Sequence, residues 1–277
     1  MHFDTTARAK PVLKWAGGKG GLLEQLVPYF PAQFGRYLEP FLGGAAVFLS
    51  LKPTVPAVLN ELNEEIFNLY SAIRSQPLEL ISRLEEYRSR YSKDFYYELR
   101  AKQPLCPVTR AARTLFLNKT GFNGLYRQNK KGEFNVPFGH YKSCPAVYSS
   151  DNILLVSERL ANATLMNSDF SILLSQAGEG DFVYCDPPYE PLTPTSSFNS
   201  YTGAGFSRAD QVRLKNECSA AVERGAVVAV SNSSAQFIRE LYSESTLQTV
   251  RARRAINSNP AKRGAIEELL ILMHKDF

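Results

Sequence analysis

The sequence predicts an α/β fold interrupted by an inserted, mainly helical segment that ends in a β-hairpin. Three observations predict it. Apolar strand candidates alternate with helical stretches over residues 11–62 and again over 151–277, the pattern of a mostly parallel sheet covered on both faces. Ala226 to Val230 is a continuous apolar run, as expected of a strand buried on both sides. From about residue 63 the texture changes to helical spacing and charge, then to an aromatic-rich run. Residues 1–62 and 150–277 are therefore read as one domain and 63–149 as an insert.

The elements follow in order. Tyr37-Leu38-Glu39 is a short strand leading into Pro40-Phe41-Leu42-Gly43-Gly44, with Ala45 to Leu51 as the next helix and Val55 to Leu59 as a second strand; this is a βαβ unit. Asn63 can cap a helix starting at Glu64. Leu78 to Arg100 and Val108 to Leu117 look helical. From Gly121 to Gly139, Lys130-Lys131-Gly132 reads as the turn between two aromatic-rich strands. Phe182-Val183-Tyr184 is an apolar strand ending at Cys185-Asp186-Pro187-Pro188-Tyr189. Ser207-Arg208-Ala209-Asp210 is a capping box for a helix that stops before Gly225, and Glu267 to Met273 is a last strand.

Composition narrows the class. With 44% hydrophobic and 21% charged residues, disordered, collagen-like and coiled-coil chains are excluded for the bulk of the sequence. No apolar run approaches the ~20 residues that span a bilayer, and Met1 to Lys10 lacks the apolar core of a secretion signal. The net charge of +5 is a mild bias toward polyanions and is equally that of a basic soluble enzyme. Cys106, Cys144, Cys185 and Cys218 form no C-x-x-C pair, and the three histidines do not cluster with them. That disfavours a zinc site or a disulfide framework and predicts reduced thiols in a cytosolic protein.

Asp186-Pro187-Pro188-Tyr189 is the most informative stretch. An adenine amino group is a poor nucleophile because its lone pair is delocalised into the ring. A carboxylate and a main-chain carbonyl accepting its two N–H bonds favour a more tetrahedral nitrogen. Successive prolines remove N–H donors and stiffen the backbone, and Tyr189 offers a flat face to a base. The motif lies past the carboxyl end of a buried strand, where α/β sheets place ligands. A bare D-P-P triplet is otherwise read as a turn.

Two further stretches carry weaker signals. Around Glu39-Pro40-Phe41-Leu42-Gly43-Gly44-Ala45, glycines permit close backbone approach to a nucleotide-like ligand, although a Gly pair alone is usually a tight turn. Glu61 ends the next strand about 22 positions on, where an acid can accept from a ribose diol. Neither G-x-G-x-x-G nor a Walker A lysine is present, which lowers the case for NAD or ATP. Lys14-Trp15-Ala16-Gly17-Gly18-Lys19 holds the single Trp, which suits either a ligand edge or a core anchor.

Together these motifs resemble the Dam-type DNA adenine-N6 methyltransferases, in order as well as in residues: cofactor motif, inserted recognition domain, then D-P-P-Y, the α arrangement. The stretch from Asn118 through Asn135-Val136-Pro137-Phe138-Gly139-His140-Tyr141 is similar to that family's recognition hairpin. The resemblance implies a Rossmann-like methyltransferase domain using S-adenosyl-L-methionine. In it Trp15 and Lys19 contact the cofactor, Phe41 and Gly43 lie along its methionine side, Glu61 holds the ribose, and Asp169 and Phe170 bracket the adenine. Asp186 sits between cofactor and target base, with Pro187 and Tyr189 completing the catalytic turn. Lys14 lies near the target adenine. The family's F-x-G-x-G pattern is altered here, because Ala45 follows Gly43-Gly44.

The resemblance also implies duplex DNA as substrate, GATC as target and a monomeric, cytoplasmic, nucleoid-associated enzyme. The hairpin residues suit that target. Arg127 can donate two bonds to guanine O6 and N7, and Leu125 and Pro137 can pack on a thymine methyl. Phe122 can wedge where a base leaves the stack, with Asn123 on a phosphate and Tyr141 in the same surface. Arg251, Arg253, Arg254, Lys262 and Arg263 form a second basic run, a solvated loop or a phosphate contact. Two other classes stay open: an RNA or protein methyltransferase, whose motif is generally N-P-P-Y, and a non-catalytic DNA-binding relative, against which Asp186 argues.

Overall fold

The computed structural model describes residues 8–15, 17–129, 131–192, 205–253 and 265–275. Lys130 and the basic residues Arg254, Lys262 and Arg263 lie outside the described residues. In chain order the elements are α1 (Leu23–Leu26), β1 (Arg36–Glu39), α2 (Ala46–Leu51), β2 (Ala57–Asn60), α3 (Glu64–Ser75), α4 (Pro77–Ser89), α5 (Lys93–Ala101), α6 (Pro107–Thr120), α7 (Ser150–Leu160), β3 (Ala163–Met166), α8 (Phe170–Leu174), β4 (Asp181–Cys185), α9 (Arg208–Glu223), β5 (Val227–Ser233), α10 (Gln236–Leu241), β6 (Thr246–Arg253) and β7 (Ala265–Met273). The chain divides into two compact units, one of residues 1–18, 43–52 and 63–167, the other of 19–42, 53–62 and 168–277.

In the second unit the strands lie in the order β2-β1-β4-β5-β7-β6. β1 pairs parallel with β2, Leu38 beside Val58, and on its other side with β4, Leu38 beside Val183. β4 pairs parallel with β5. Phe182, Val183, Tyr184 and Cys185 are all buried, so β4 is an apolar run hidden on both faces, the reason it stands out in the sequence. From β1 the order continues to β2 on one side, and from β4 to β5 on the other. The carboxyl ends of β1 and β4 thus flank a topological switch point, where open α/β sheets bind ligands.

The sheet is mostly parallel, as expected, and closes at one end in antiparallel strands. β7 runs antiparallel to β5, and β6 antiparallel to β7. β6 leaves no apolar run in the sequence because it ends the order and alternates Leu247 and Val250 with Gln248, Thr249 and Arg251. Cap signals hold closely. Asn63 Oδ1 accepts from the backbone of Glu65 and Ile66 at the start of α3, and Ser207 and Asp210 form a reciprocal capping box on α9. α9 closes before Gly225, whose φ of 97° is left-handed.

The first unit is mainly helical, and two expectations are corrected there. The helix expected over 78–100 is two helices, α4 and α5, because the Ser92 side chain accepts from Phe95 N and starts a new helix. Apolar periodicity runs across that break, which conceals it. The two expected strands around residue 130 are not regular strands among the described residues. Their arms meet at bridges between Gly121 and Phe138 and between Gln128 and Phe134, plus a bond from Asn135 N to Arg127 O. Gly121, Gly124, Pro137 and Gly139 interrupt a continuous ladder. The tip is held by Asn129 Oδ1, which accepts from Lys131 N and Glu133 N.

The Gly43-Gly44-Ala45 turn shows why its residues are small. Gly43 has φ 46°, and a Cβ there would lie 2.7 Å from Trp15 Nε1; one on Gly44 would lie 3.2 Å from Trp15 Cβ. The glycines are set by the indole packed on them. Ala45 itself adopts φ 57° ahead of α2, a left-handed position where glycine is free of strain. Gly43→Ala should destabilise by about 2–4 kcal/mol, from left-handed strain plus overpacking, while Ala45→Gly should stay within about 1 kcal/mol of the parent. Urea unfolding of both variants checks this contrast.

Candidate active site

Asp186 leaves the carboxyl end of β4 directly into two prolines. Lys19 Nζ stands 2.9 Å from Asp186 Oδ1, with side chains 3% and 21% exposed respectively. The same ammonium lies 4.7 Å from the Tyr189 ring centre, a cation–π distance. Tyr189 donates its hydroxyl to Glu268 Oε2 on β7 at 2.8 Å. Burial pushes the Asp186 carboxyl above its ordinary range; Lys19 opposes that shift and the Glu268 charge adds to it. Burial also raises the Tyr189 phenol well above its ordinary value, helped by Asp186 and Glu268. The arrangement is a poorly solvated carboxylate with one ammonium partner beside an aromatic face. Such a carboxylate is a strong hydrogen-bond acceptor.

A second cluster forms after β1 and before α8. Phe41 and Phe170 have ring centres 5.3 Å apart at 32°, and Phe206 meets Phe41 edge-on at 5.9 Å. Asn60, buried at the end of β2, ties the two approaches together. Its Nδ2 donates to Pro40 O at 3.0 Å and Ser168 O at 2.9 Å, and its Oδ1 accepts from Ser168 N at 3.0 Å. Glu61 follows directly at the mouth of β2. Asp169 caps α8 by accepting from Ser171 N. It also accepts two bonds from Arg213, at 2.6 and 3.1 Å, while the Arg213 guanidinium lies 4.1 Å from the Phe170 ring centre. The Arg213 bonds, with those from Ser171, hold the Asp169 carboxyl at about 2.

Lys19, Phe41, Glu61, Asp169, Phe170, Asp186, Pro187 and Tyr189 all belong to the second unit; Lys14, Trp15, Gly43 and the hairpin residues belong to the first. There Trp15 packs against Tyr126, ring centres 5.5 Å apart. Lys14 is fixed through its backbone, since Asn118 accepts from Lys14 N at 2.8 Å and donates to Lys14 O at 3.0 Å. Its ammonium lies 5.7 Å from the Tyr141 ring centre. Phe122 is 41% exposed for so large an apolar residue, and Asn123 has φ 55°, a conformation asparagine tolerates. Arg127 is exposed, with Nε donating to Asn135 Oδ1 at 2.7 Å. Leu125 is partly buried, and Pro137 is exposed while Tyr126, Phe134 and Val136 are buried.

Sequence reasoning missed Glu268, Phe206, Arg213 and Asn135. Asn135 had a trace, being part of the hairpin motif. The other three join the clusters only through tertiary contacts.

Residues 15–256 match the family model described as D12 class N6 adenine-specific DNA methyltransferase. The chain belongs to that family. It is 38% identical over 270 residues to the type II methyltransferase M1.LlaDCHI of Lactococcus lactis subsp. cremoris, covering 95% of this chain and 94% of that one. It is 39% identical over 285 residues to the type II methyltransferase M.MjaIII of Methanocaldococcus jannaschii, covering 95% and 98%. It is 34% identical over 265 residues to the DNA adenine methylase of Escherichia coli K12, covering 94% of each. The enzyme is therefore an adenine-specific DNA methyltransferase, and its sheet is the Rossmann-like one of such methyltransferases. Among the described residues, no helix of this methyltransferase is long and apolar enough to cross a membrane.

The Asp169–Arg213 pair sets a pH dependence. The carboxyl falls from 3.8 unfolded to about 2 folded, so its stabilisation is present above pH ~4 and is lost as pH falls toward ~2. A shift of that size is roughly 2 kcal/mol for a shielded group, and the exposure of both partners reduces it to about 1 kcal/mol. Asp169→Asn should be less stable than the parent by that amount at pH 7, and the gap should close near pH 2. Urea unfolding at the two pH values measures it.

Proposed function

We infer that this methyltransferase takes its methyl group from S-adenosyl-L-methionine and delivers it to N6 of the adenine in GATC, flipped out of duplex DNA. The observation that carries the reading is the poorly solvated Asp186 carboxylate, joined to Lys19 and Tyr189 at the switch point of the sheet. The Phe41 and Phe170 rings and the anchored Asp169 carboxylate suit the flat, amino-bearing base of such a cofactor, and Glu61 suits its ribose diol. Trp15, Lys19 and Gly43 complete the assignment by resemblance. When bound, the cofactor supplies an electrophilic methyl group.

The chain's own residues do the rest. Asp186 accepts a hydrogen bond from the target amino group, and a carbonyl of the Pro187 turn accepts the other, which localises the nitrogen lone pair. Tyr189 stacks on the extruded base and offsets the few kcal/mol that flipping costs. Catalysis is then mainly positioning and electrostatics. Residues 1–62 and 150–277 carry this chemistry, and 63–149 read the target. In that segment Asn135 holds Arg127, accepting from its Nε and Nη2, and the remaining guanidinium N–H groups turn to guanine O6 and N7, while Leu125 and Pro137 meet a thymine methyl. Phe122 fills the place of the flipped base, Asn123 binds a phosphate, Lys14 lies near the target adenine, and Tyr141 lines the same surface. The protein acts as a monomer in the cytoplasm, at the nucleoid.

Labelled-methyl transfer to two duplexes of equal composition, with GATC intact or scrambled, tests the reading: only the first should be methylated. Asp186→Ala should lower transfer by about a thousandfold or more while the protein stays folded; near-parental turnover would refute the role of Asp186. Arg127→Ala should relax discrimination at one guanine by about 1–3 kcal/mol, read from kcat/KM on single-base variants of the site. Unchanged selectivity would remove Arg127 from base readout.

A further inference from the structure

The Asp186–Tyr189 turn has a difficulty of its own making. Neither Pro187 nor Pro188 has an N–H, so two consecutive residues cannot be tied by main-chain donors. Restraint has to come from groups that reach the turn's carbonyls and its far end. α9 and β5 supply them. Gln211, 0% exposed, donates from Nε2 to Pro188 O at 2.9 Å. Its Oε1 accepts from Asn232 Nδ2 at 3.0 Å. Asn232, also 0% exposed, accepts from Glu190 N at 3.1 Å and from Ser233 N at 2.9 Å. Ser233 donates its hydroxyl to Glu190 O at 2.6 Å, and Arg208 Nε donates to Glu190 Oε1 at 2.7 Å. Tyr189 is thus bracketed by a held carbonyl before it and a residue held at both main-chain groups after it.

We propose that Gln211 is a positioning residue for methyl transfer, which with Asn232 fixes the orientation of the Asp186–Tyr189 turn. This rests on the reading of that turn as the transfer site. The two amides are mutually directional. Gln211 must present its NH₂ to Pro188 and its oxygen to Asn232, and Asn232 must present its oxygen to two N–H groups. Flipping either amide would set donor against donor or acceptor against acceptor in a site closed to water. The same helix carries Arg213 to Asp169 and to the Phe170 ring, so its first two turns hold the catalytic turn and the aromatic cluster together.

Two variants test the proposal on the full-length enzyme, in single-turnover methyl transfer to a GATC duplex with both substrates saturating. Gln211→Met keeps chain length and deletes both hydrogen bonds. Its maximal rate should fall about 10–100-fold, the range expected of misplacement by an ångström or less, while the Kd for S-adenosyl-L-methionine and for the duplex stays within about threefold of the parent. Melting curves confirm that the variant is folded at the assay temperature. Gln211→Glu gives a sharper readout. Ionised, its carboxylate faces the Pro188 carbonyl with no donor; protonated, it donates to that carbonyl. Its rate should therefore recover as pH is lowered, on a limb absent from the parent. A Gln211→Met rate within twofold of the parent, a loss confined to KM, or a Gln211→Glu profile identical to the parent's would overturn the proposal. If Gln211→Met does not fold, the Gln211→Glu profile decides alone. Failure of the underlying reading has a different signature: Asp186→Ala would keep the parent's rate.

Discussion

The pairing of Asp186 with Lys19 is the constraint to which the surrounding structure is fitted. A carboxylate and an ammonium both removed from most of their water are each costly alone. Together they are tolerable because each offsets the other, and the groups around them fix the geometry of the pair. Tyr189 offers its ring to the ammonium, Glu268 accepts a hydrogen bond from the Tyr189 phenol, and β7 must lie beside β5 for Glu268 to be there. The antiparallel end of the sheet is thereby connected to chemistry that begins on its parallel half. Removing either partner of the central pair would strand the other, a loss usually larger than the net worth of the pair.

How much of this was legible in the sequence depends on where each signal is stored. β4 and the first half of β5 were legible because burial on both faces writes an unbroken apolar run, whereas β1, Arg36-Tyr37-Leu38-Glu39, was legible from the Gly-rich turn that follows it. The caps at Asn63 and Ser207 were legible because capping is local chemistry within four residues. The break between α4 and α5 was not, since apolar spacing continues through it and only Ser92 marks the new start. β6 was not, because an edge strand needs no continuous apolar run. The hairpin segment showed its aromatic and glycine content but not its irregularity, which arises from where particular glycines and Pro137 fall.

The candidate site divides in the same way. Asp186, Tyr189 and Lys19 announced themselves as motif residues, and the structure brings those three side chains together. Glu268 lies 79 positions from Tyr189, and Gln211 lies 23 from Pro188 and 21 from Asn232. Nothing local in a helix or strand pattern points across such separations. Gln211 in particular reads as an ordinary polar position near a helix start, and only the fold turns it inward. Motifs record the atoms that meet a ligand, whereas the groups that aim those atoms are recorded in topology.

The loose hairpin of the first unit has a consequence for how such proteins diversify. A regular two-stranded ladder couples every side chain to its register, so one insertion inverts the inward and outward sets along the whole strand. Here the arms are joined at separate points, between Gly121 and Phe138, between Gln128 and Phe134, and through the amides of Asn129 and Asn135. Exposed positions such as Arg127 and Pro137 can then be exchanged, or the tip lengthened, without a frame shift in the buried Tyr126, Phe134 and Val136. New surface chemistry at the hairpin therefore needs only point replacement, with the packing beneath it left in place.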